Sequence, residues 1–153
     1  MEYIKRARKG GCFLCRSLRS RADRENGVVL RGRACAVVLN RYPYTGGHLM
    51  VAPLRHVAAL QELKPAELNE LMRLTIRSMN LLQETIQPHG FNVGLNIGEA
   101  AGAGLRDHVH LHIVPRWMGD TNFMPVLGKT QVTPISLEAL WDLLRGKSSA
   151  RRK

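Results

Sequence analysis

The fold class predicted for this 153-residue chain is α+β, an antiparallel β-sheet with a long packed helix and a short C-terminal helix. Three observations predict it. Short runs of β-favouring residues, separated by turn residues, fill the stretch from Val28 to Pro53 and recur from Phe91 to Trp117. One long apolar stripe at three- and four-residue steps lies between these regions, and a shorter helical pattern follows them.

Each element has a local cause. Met1 to Gly11 is basic and reads as a poorly packed arm or short helix. Val28 to Leu30 and Ala34 to Leu39 read as strands around Arg31-Gly32-Arg33, a hairpin turn. His48 to Pro53 is a third strand after the Tyr44-Thr45-Gly46-Gly47 turn, which completes an antiparallel meander. Within it Cys35 reads most simply as a buried strand residue. From Pro65 the pattern becomes helical, with Leu68, Leu71, Met72, Thr75, Met79, Leu82 and Ile86 on one side until Pro88 ends it. This Met and Leu stripe is expected to be core by ordinary helix amphipathicity. Phe91 to Ile97 is another strand, leading through Gly98 to Gly104 into the run Asp107 to Trp117. A final helix is expected near Ser136 to Leu144, with Ser136 as N-cap and Glu138 near its positive end. The expected organisation is a basic arm at 1–11, one domain at 12–146 and a basic tail at 147–153.

The bulk numbers bound the function. The length suits one domain with its own core. Apolar runs fall well short of the roughly 18–20 residues of a membrane span, so no membrane partner is expected. The charged N-terminus lacks the apolar stretch of a secretory signal, and three cysteines argue against a disulfide framework, so a cytoplasmic protein is expected. A net charge of +11 invites an anionic partner. Met1 to Arg41 holds eleven Lys or Arg against three acids, a balance of +8, and Lys147 to Lys153 adds four more basic residues. A nucleic-acid partner is the rival of a different class. With aromatics at 5% and no basic-aromatic interleaving, nothing marks a base-stacking platform.

The chemistry concentrates in Asp107-His108-Val109-His110-Leu111-His112-Ile113. Alternation along a strand puts His108, His110 and His112 on one face, about 6.5–7 Å apart, with apolar residues on the other. Solvated or core-satisfied histidines are the bland alternative. Half of the chain's six histidines in register point instead to acid/base, nucleophilic or metal chemistry. Cys12-Phe13-Leu14-Cys15 is a Cys-x-x-Cys step, open on its own to a metal clasp, a redox pair or two small buried residues. The Gly98 to Gly104 connection is either a tight turn or a loop whose backbone N–H groups approach an oxyanion.

The His-x-His-x-His run followed by apolar residues resembles the signature of the histidine triad superfamily. Asn40-Arg41-Tyr42-Pro43-Tyr44, Gly47-His48-Leu49-Met50-Val51-Ala52-Pro53, Arg55-His56-Val57 and Gly94-Leu95-Asn96-Ile97-Gly98 resemble superfamily segments in the same order, over roughly Cys12 to Leu144. Pro115-Arg116-Trp117 and Gly119-Asp120-Thr121-Asn122-Phe123 are similar to the fragile-histidine-triad branch and its microbial diadenosine polyphosphate hydrolases and phosphorylases. The resemblance implies a HIT-like fold, a twofold homodimer and a structural zinc held by Cys12, Cys15, His56 and His108. It implies that His110 attacks the α-phosphorus of a nucleotide to form a covalent nucleotidyl-histidine, with His112 on the phosphate and assisting the leaving group. Asn40 and Asn96 match positions near the ribose and nucleotide pocket, and Gly102 and Gly104 lie in the loop before the triad. Many relatives carry Gln and then Ser or Thr there, where this chain has Ala103, Gly104 and Leu105, so phosphate contacts would come more from backbone. Leu39, Tyr42 and Phe13 are candidates for the base wall. The expected substrate is a dinucleoside polyphosphate, with hydrolysis slightly favoured over phosphorolysis. A nucleoside phosphoramidate or adenylyl conjugate is the alternative substrate. Arg106 and Arg116 are candidate donors to an inorganic phosphate acceptor, or else ordinary paired charges.

Overall fold

The computed structural model describes residues 11–120 and 135–150. The first ten residues of the arm expected at 1–11, the Thr121-Asn122-Phe123 part of the branch-like run and the tail end at 151–153 lie outside the described residues. Two short helices come first, α1 (Phe13–Arg19) and α2 (Asp23–Asn26). The strands β1 (Val28–Arg31), β2 (Cys35–Leu39) and β3 (Leu49–Pro53) follow, then α3 (Pro65–Ile86), β4 (Gly90–Leu95), β5 (Leu111–Arg116) and α4 (Leu137–Ala150). The sheet order is β1-β2-β3-β5-β4, and every neighbouring pair is antiparallel.

Strand alternation divides the interior into two faces. Val37 and Leu39 on β2, Leu49 and Val51 on β3, and Leu111 and Ile113 on β5 point to one side, where α3 supplies Leu71, Leu74, Leu81 and Leu82 and α4 supplies Leu140 and Leu144. Ala36, Val38, Met50 and Ala52 point to the other side and meet Leu14 and Leu18 of α1. Met50 pairs with His112 in register. The histidine therefore shares a face with this smaller cluster, opposite the long helix.

Local chemistry accounts for the ends of the elements. Pro65 begins α3, where its missing N–H costs nothing, and Gln87 closes the helix in the left-handed region at φ 46° before Pro88. The Ser136 hydroxyl accepts from the Ala139 N–H at 3.2 Å, so the expected cap is present. Glu70 reaches back from α3 to accept from the backbone N–H groups of Arg33, Ala34 and Cys35, clamping the β1–β2 turn. Cys35 is fully buried in β2, as expected, and burial next to Glu70 and Glu67 pushes its thiol up to about 12.

Three boundaries differ from expectation. The last helix continues to Ala150 because Leu144 and Ser148, one turn apart, are both buried on the face that began with Leu140. The beginning of the expected tail is therefore helix. β4 ends at Leu95, leaving Asn96 and Ile97 in the connection to β5. Regular pairing in β5 starts only at Leu111, where both neighbours end through Val51↔Leu111 and Leu95↔Leu111. Upstream the Val109 N–H donates to the Val57 carbonyl in the segment after β3. His108 and His110 thus precede the ladder. The helix α1 was not expected, since its N-cap is a cysteine whose Sγ accepts from the Cys15 N–H at 3.4 Å.

Gly47 is the close-packing point of this scaffold. Its φ is +89°, and a Cβ there would lie 2.6 Å from Ile86 Cδ1 and 3.1 Å from Pro115 Cγ. Gly47→Ala combines backbone strain with overpacking and is expected to lower unfolding stability by about 2 kcal/mol, measured as a shift in urea midpoint without a change in slope.

Candidate active site

Four ligand-type residues meet where α1 approaches the start of the triad. Cys12 caps α1, Cys15 lies one turn into it, His56 follows β3 and His108 precedes β5. Their ligand atoms all fall within 4.8 Å of one another. Cys12 Sγ is 3.2 Å from His108 Nδ1, Cys15 Sγ is 3.5 Å from the same nitrogen, and Cys15 Sγ is 3.2 Å from His56 Nδ1. Zinc bonds of about 2.3 Å to sulfur and about 2.0–2.1 Å to nitrogen set tetrahedral ligand atoms roughly 3.3–3.8 Å apart, so the donor set and spacing fit a structural zinc ion. The second shell also fits. His108 is fully buried and donates from Nε2–H to the Pro53 carbonyl at 2.8 Å, which leaves Nδ1 unprotonated toward the cysteines.

The next two histidines are oriented by hydrogen bonds that fix where their protons sit. His110 donates from Nδ1–H to the His108 carbonyl at 2.8 Å, so the Nε2 of the neutral ring carries a free lone pair. Burial lowers its proton affinity and holds it in that neutral form. His112 is set by a residue to which no role was assigned from sequence, His48. The Tyr44 N–H donates to His48 Nδ1 at 3.1 Å, and the Asn40 amide lies 3.3 Å from the same atom. With Nδ1 accepting, the proton of His48 is on Nε2, which donates to His112 Nδ1 at 2.9 Å. His112 in turn carries its proton on Nε2 and presents a donor. Burial, and then charge repulsion from the neighbouring imidazoles, takes His48 down to about 3 and His112 to about 4. The His110 and His112 ring centroids are 4.7 Å apart, and Tyr44 stacks on His112 at 6.0 Å. The signal for His48 was its parity: it precedes Met50 by two residues, which aims it at the His112 face.

A cleft of about 230 Å³ opens over these rings. Asn40, Asn96, Gly102, Gly104, His110 and His112, all named from sequence, line it together, as do the base-wall candidates Phe13 and Tyr42. Met50, Leu105 and Tyr44 complete it. Among the described residues, none that lines it carries a formal charge. Gly94 pairs with His112 on the edge strand, and a Cβ there would meet nothing within 4 Å, so that flank is open.

Other expectations fall elsewhere. Leu39 is 4% exposed and packs in the helix-side core, because its strand parity is opposite to that of Met50, so it takes no part in the base wall. Arg116 is held by Asp120 at 2.6 Å and by Asn92 at 2.8 Å, while Arg106 pairs with Glu99 at 2.5 Å across the glycine loop. Both are paired charges. The side chain of Asn40 is engaged internally, its Oδ1 accepting from the Tyr42 N–H at 3.0 Å, so it shapes the cleft through the 40–44 turn.

Fold and site together define a class: an antiparallel-sheet protein whose alternating histidines divide between a metal clasp and a cleft of about 230 Å³. A model of the HIT domain matches residues 21–118, and the chain belongs to the HIT-domain family. It is 48% identical over 113 residues to a Mycobacterium tuberculosis protein named AP-4-A phosphorylase, covering 74% of this chain and 58% of that protein. It is 32% identical over 93 residues to the Schizosaccharomyces pombe bis(5'-nucleosyl)-tetraphosphatase (asymmetrical), covering 61% of this chain and 50% of that protein. The chain thus spans about half the length of these two relatives. A crystal structure of a zinc-bound histidine triad family protein from Mycobacterium smegmatis superposes with a TM-score of 0.74 over 93% of this chain and 96% of that one, at 24% identity. That likeness bears out the α+β architecture.

Proposed function

We propose that this protein transfers a nucleotide from a dinucleoside polyphosphate, through a covalent bond to His110, to inorganic phosphate. The observation that carries this reading is the free Nε2 lone pair of His110 on the wall of the cleft, held in that state by Nδ1–H···O=C to His108. In the first step Nε2 attacks the α-phosphorus, an N–P bond forms, and the P–O bond to the remaining polyphosphate breaks with its electron pair on the leaving oxygen. Such a leaving group departs as an anion. The Nε2–H of His112 needs only to hydrogen-bond to it, and the His48 contact keeps that proton on the correct nitrogen. In the second step an acceptor oxygen attacks the same phosphorus and the N–P electrons return to His110. Gly102 and Gly104 supply backbone for the α-phosphate, with Asn96 beside it and Phe13 and Tyr42 near the base.

Phosphate is favoured as acceptor because the relative at 48% identity is named a phosphorylase, against 32% for the tetraphosphatase. Hydrolysis remains the second reading, supported by the uncharged cleft, which offers no side-chain cation to a phosphate acceptor. The products separate them. With diadenosine tetraphosphate, phosphorolysis gives ADP and ATP and requires added phosphate; AMP and ATP at an unchanged rate without phosphate would establish hydrolysis. Neither pair of products would remove the substrate class.

Zinc in the Cys12, Cys15, His56 and His108 clasp belongs to the same proposal, as a structural ion that ties α1 to the strand bearing the reactive histidines. So does a homodimer. β4 is an edge strand whose Val93 is 42% exposed on the helix side, and α3 exposes a row of Leu68, Met72 and Ile76, the first two of which were expected in the core. An edge and an apolar row of this kind suit a second copy of the chain. Among the described residues no helix is long and apolar enough to cross a membrane, and the three cysteines form no disulfide, which suits a reducing compartment such as the cytoplasm.

A further inference from the structure

One glycine on the histidine face has no structural reason to be a glycine. Gly94 pairs with His112 across the last two strands of the sheet, so the two positions face the same side. Its backbone is outside the left-handed region, and among the described residues a Cβ built on it would meet nothing within 4 Å. Neither conformation nor packing therefore requires the missing side chain. Glycine inside a strand weakens it, and often marks a place where a ligand comes close to the backbone.

The donor beside this gap is turned toward it. His112 is 9% exposed, and its Nδ1 accepts from His48, which immediately precedes β3 on the other flank of β5. The two ring nitrogens of an imidazole are directed apart, so the Nε2–H of His112 points away from β3, to the side on which β4 and Gly94 lie. Among the described residues this N–H has no acceptor. A second donor follows on the same face. Asn92 is exposed two residues before Gly94, opposite Val114. Arg116, held by Asp120, donates to Asn92 Oδ1 at 2.8 Å. A guanidinium only donates, so the amide oxygen must face it, and Nδ2 is directed away from Arg116 with no acceptor among the described residues. Same-face positions on a strand are roughly 6.5–7 Å apart, a step that roughly two linked phosphates cover.

We infer that Gly94 and Asn92 form the row along which the expelled polyphosphate lies. This rests on the reading of His110 as the attacking group and His112 as the donor to the leaving oxygen. Phosphoryl transfer keeps the attacking and leaving atoms roughly in line, so the breaking P–O bond lies on the His112 side, beside Gly94. The bare backbone at Gly94 lets the next phosphates lie against the strand, and the Asn92 amide donates to an oxygen further along. Both residues determine specificity. They favour donors whose α-phosphate carries a phosphate chain over donors whose leaving group ends at its first atom. In the second step the acceptor attacks from the side just vacated, so an acceptor phosphate occupies the same row.

Gly94→Val and Asn92→Ala test this with two AMP donors in the presence of inorganic phosphate: diadenosine tetraphosphate, and adenosine 5′-phosphoramidate, whose leaving group is ammonia and too short to reach Asn92. Valine suits an edge strand and enters open space, so Gly94→Val is expected to keep or raise the melting temperature. Its kcat/KM is expected to fall about tenfold further for the tetraphosphate than for the phosphoramidate. Asn92→Ala is expected to raise KM for the tetraphosphate about fivefold more than KM for the phosphoramidate. Equal losses on both substrates, no loss on the tetraphosphate, or a lowered melting temperature of Gly94→Val would each overturn the row. Turnover of the tetraphosphate alone is selectivity for a chained donor, and an unchanged KM in both variants then overturns the row. An unaltered protein that cleaves the phosphoramidate but not the tetraphosphate also overturns it and leaves the His110 chemistry standing. Turnover of neither substrate removes the His110 reading, and the row with it.

Discussion

His110→Asn is expected to lower turnover of diadenosine tetraphosphate by about four powers of ten or more while the affinity for AMP changes by no more than a few fold. Removing an attacking group abolishes the covalent route and leaves only whatever acceleration the cleft gives to direct attack by an external oxygen. Asparagine keeps a polar group near the Nδ1 position, which can still donate to the His108 carbonyl now bonded at 2.8 Å, so the local backbone has its partner. Calorimetry with AMP, and product formation under single-turnover conditions, measure the two halves separately. A variant within tenfold of the original rate would rule out covalent transfer through this residue. His112→Asn is a useful contrast, because it retains the attacking nitrogen and loses a donor. Its loss is expected to be smaller, and smaller still on an ester with a better leaving group.

Stripping the metal is expected to lower the melting temperature by roughly 10 °C or more, the scale of a few kcal/mol in a domain of this length. Elemental analysis is expected to find about one zinc per chain, since four ligand atoms within 4.8 Å complete one tetrahedral shell. The destabilisation follows from what the clasp joins: α1 carries Leu14 and Leu18 into the smaller core, and without the ion the two cysteines that cap and begin this helix lose their tie to His56 and His108. Cys15→Ser should reproduce most of the effect. An unchanged melting temperature after dialysis against a chelator, with metal loss verified, would defeat the structural role. Nucleotide affinity is expected to fall less than stability, because none of the four ligands lines the cleft.

The sequence made the site more legible than its supports. His108, His110 and His112 declared themselves by spacing, and the glycines and asparagines of the cleft came with the family resemblance, because residues that must meet a ligand are restricted in type. The long helix was legible from its period, and the first three strands from their bounding turns. Helix α1 escaped, because nothing in Cys12-Phe13-Leu14-Cys15 announces a cap made by a thiol, and seven residues give too little periodicity to read. The displaced start of β5 escaped for another reason. Alternation says which residues share a face but not where a neighbour stops pairing, and here both neighbours stop at Leu111. The partnership of His48 with His112 joins residues 64 apart, a contact that only the register of β3 against β5 creates. Leu39 shows the converse error, a residue named for the base wall although the parity of its strand sends it to the opposite face.

Among the described residues no formal charge lines the cleft, and this bears on how the protein would cycle. In a chain with a net charge of +11, the rings nearest the reacting phosphorus are neutral, with His48 near 3 and His112 near 4. A buried ammonium or guanidinium at that spot would grip a nucleotide product by direct Coulomb attraction in a medium of low dielectric. Neutral donors recognise the phosphate by shape and direction and let it go once the bond has changed hands. On the proposed reading, the net positive charge of the chain would gather anions from solution and the uncharged cleft would return them, so that capture and release fall to different parts of the molecule.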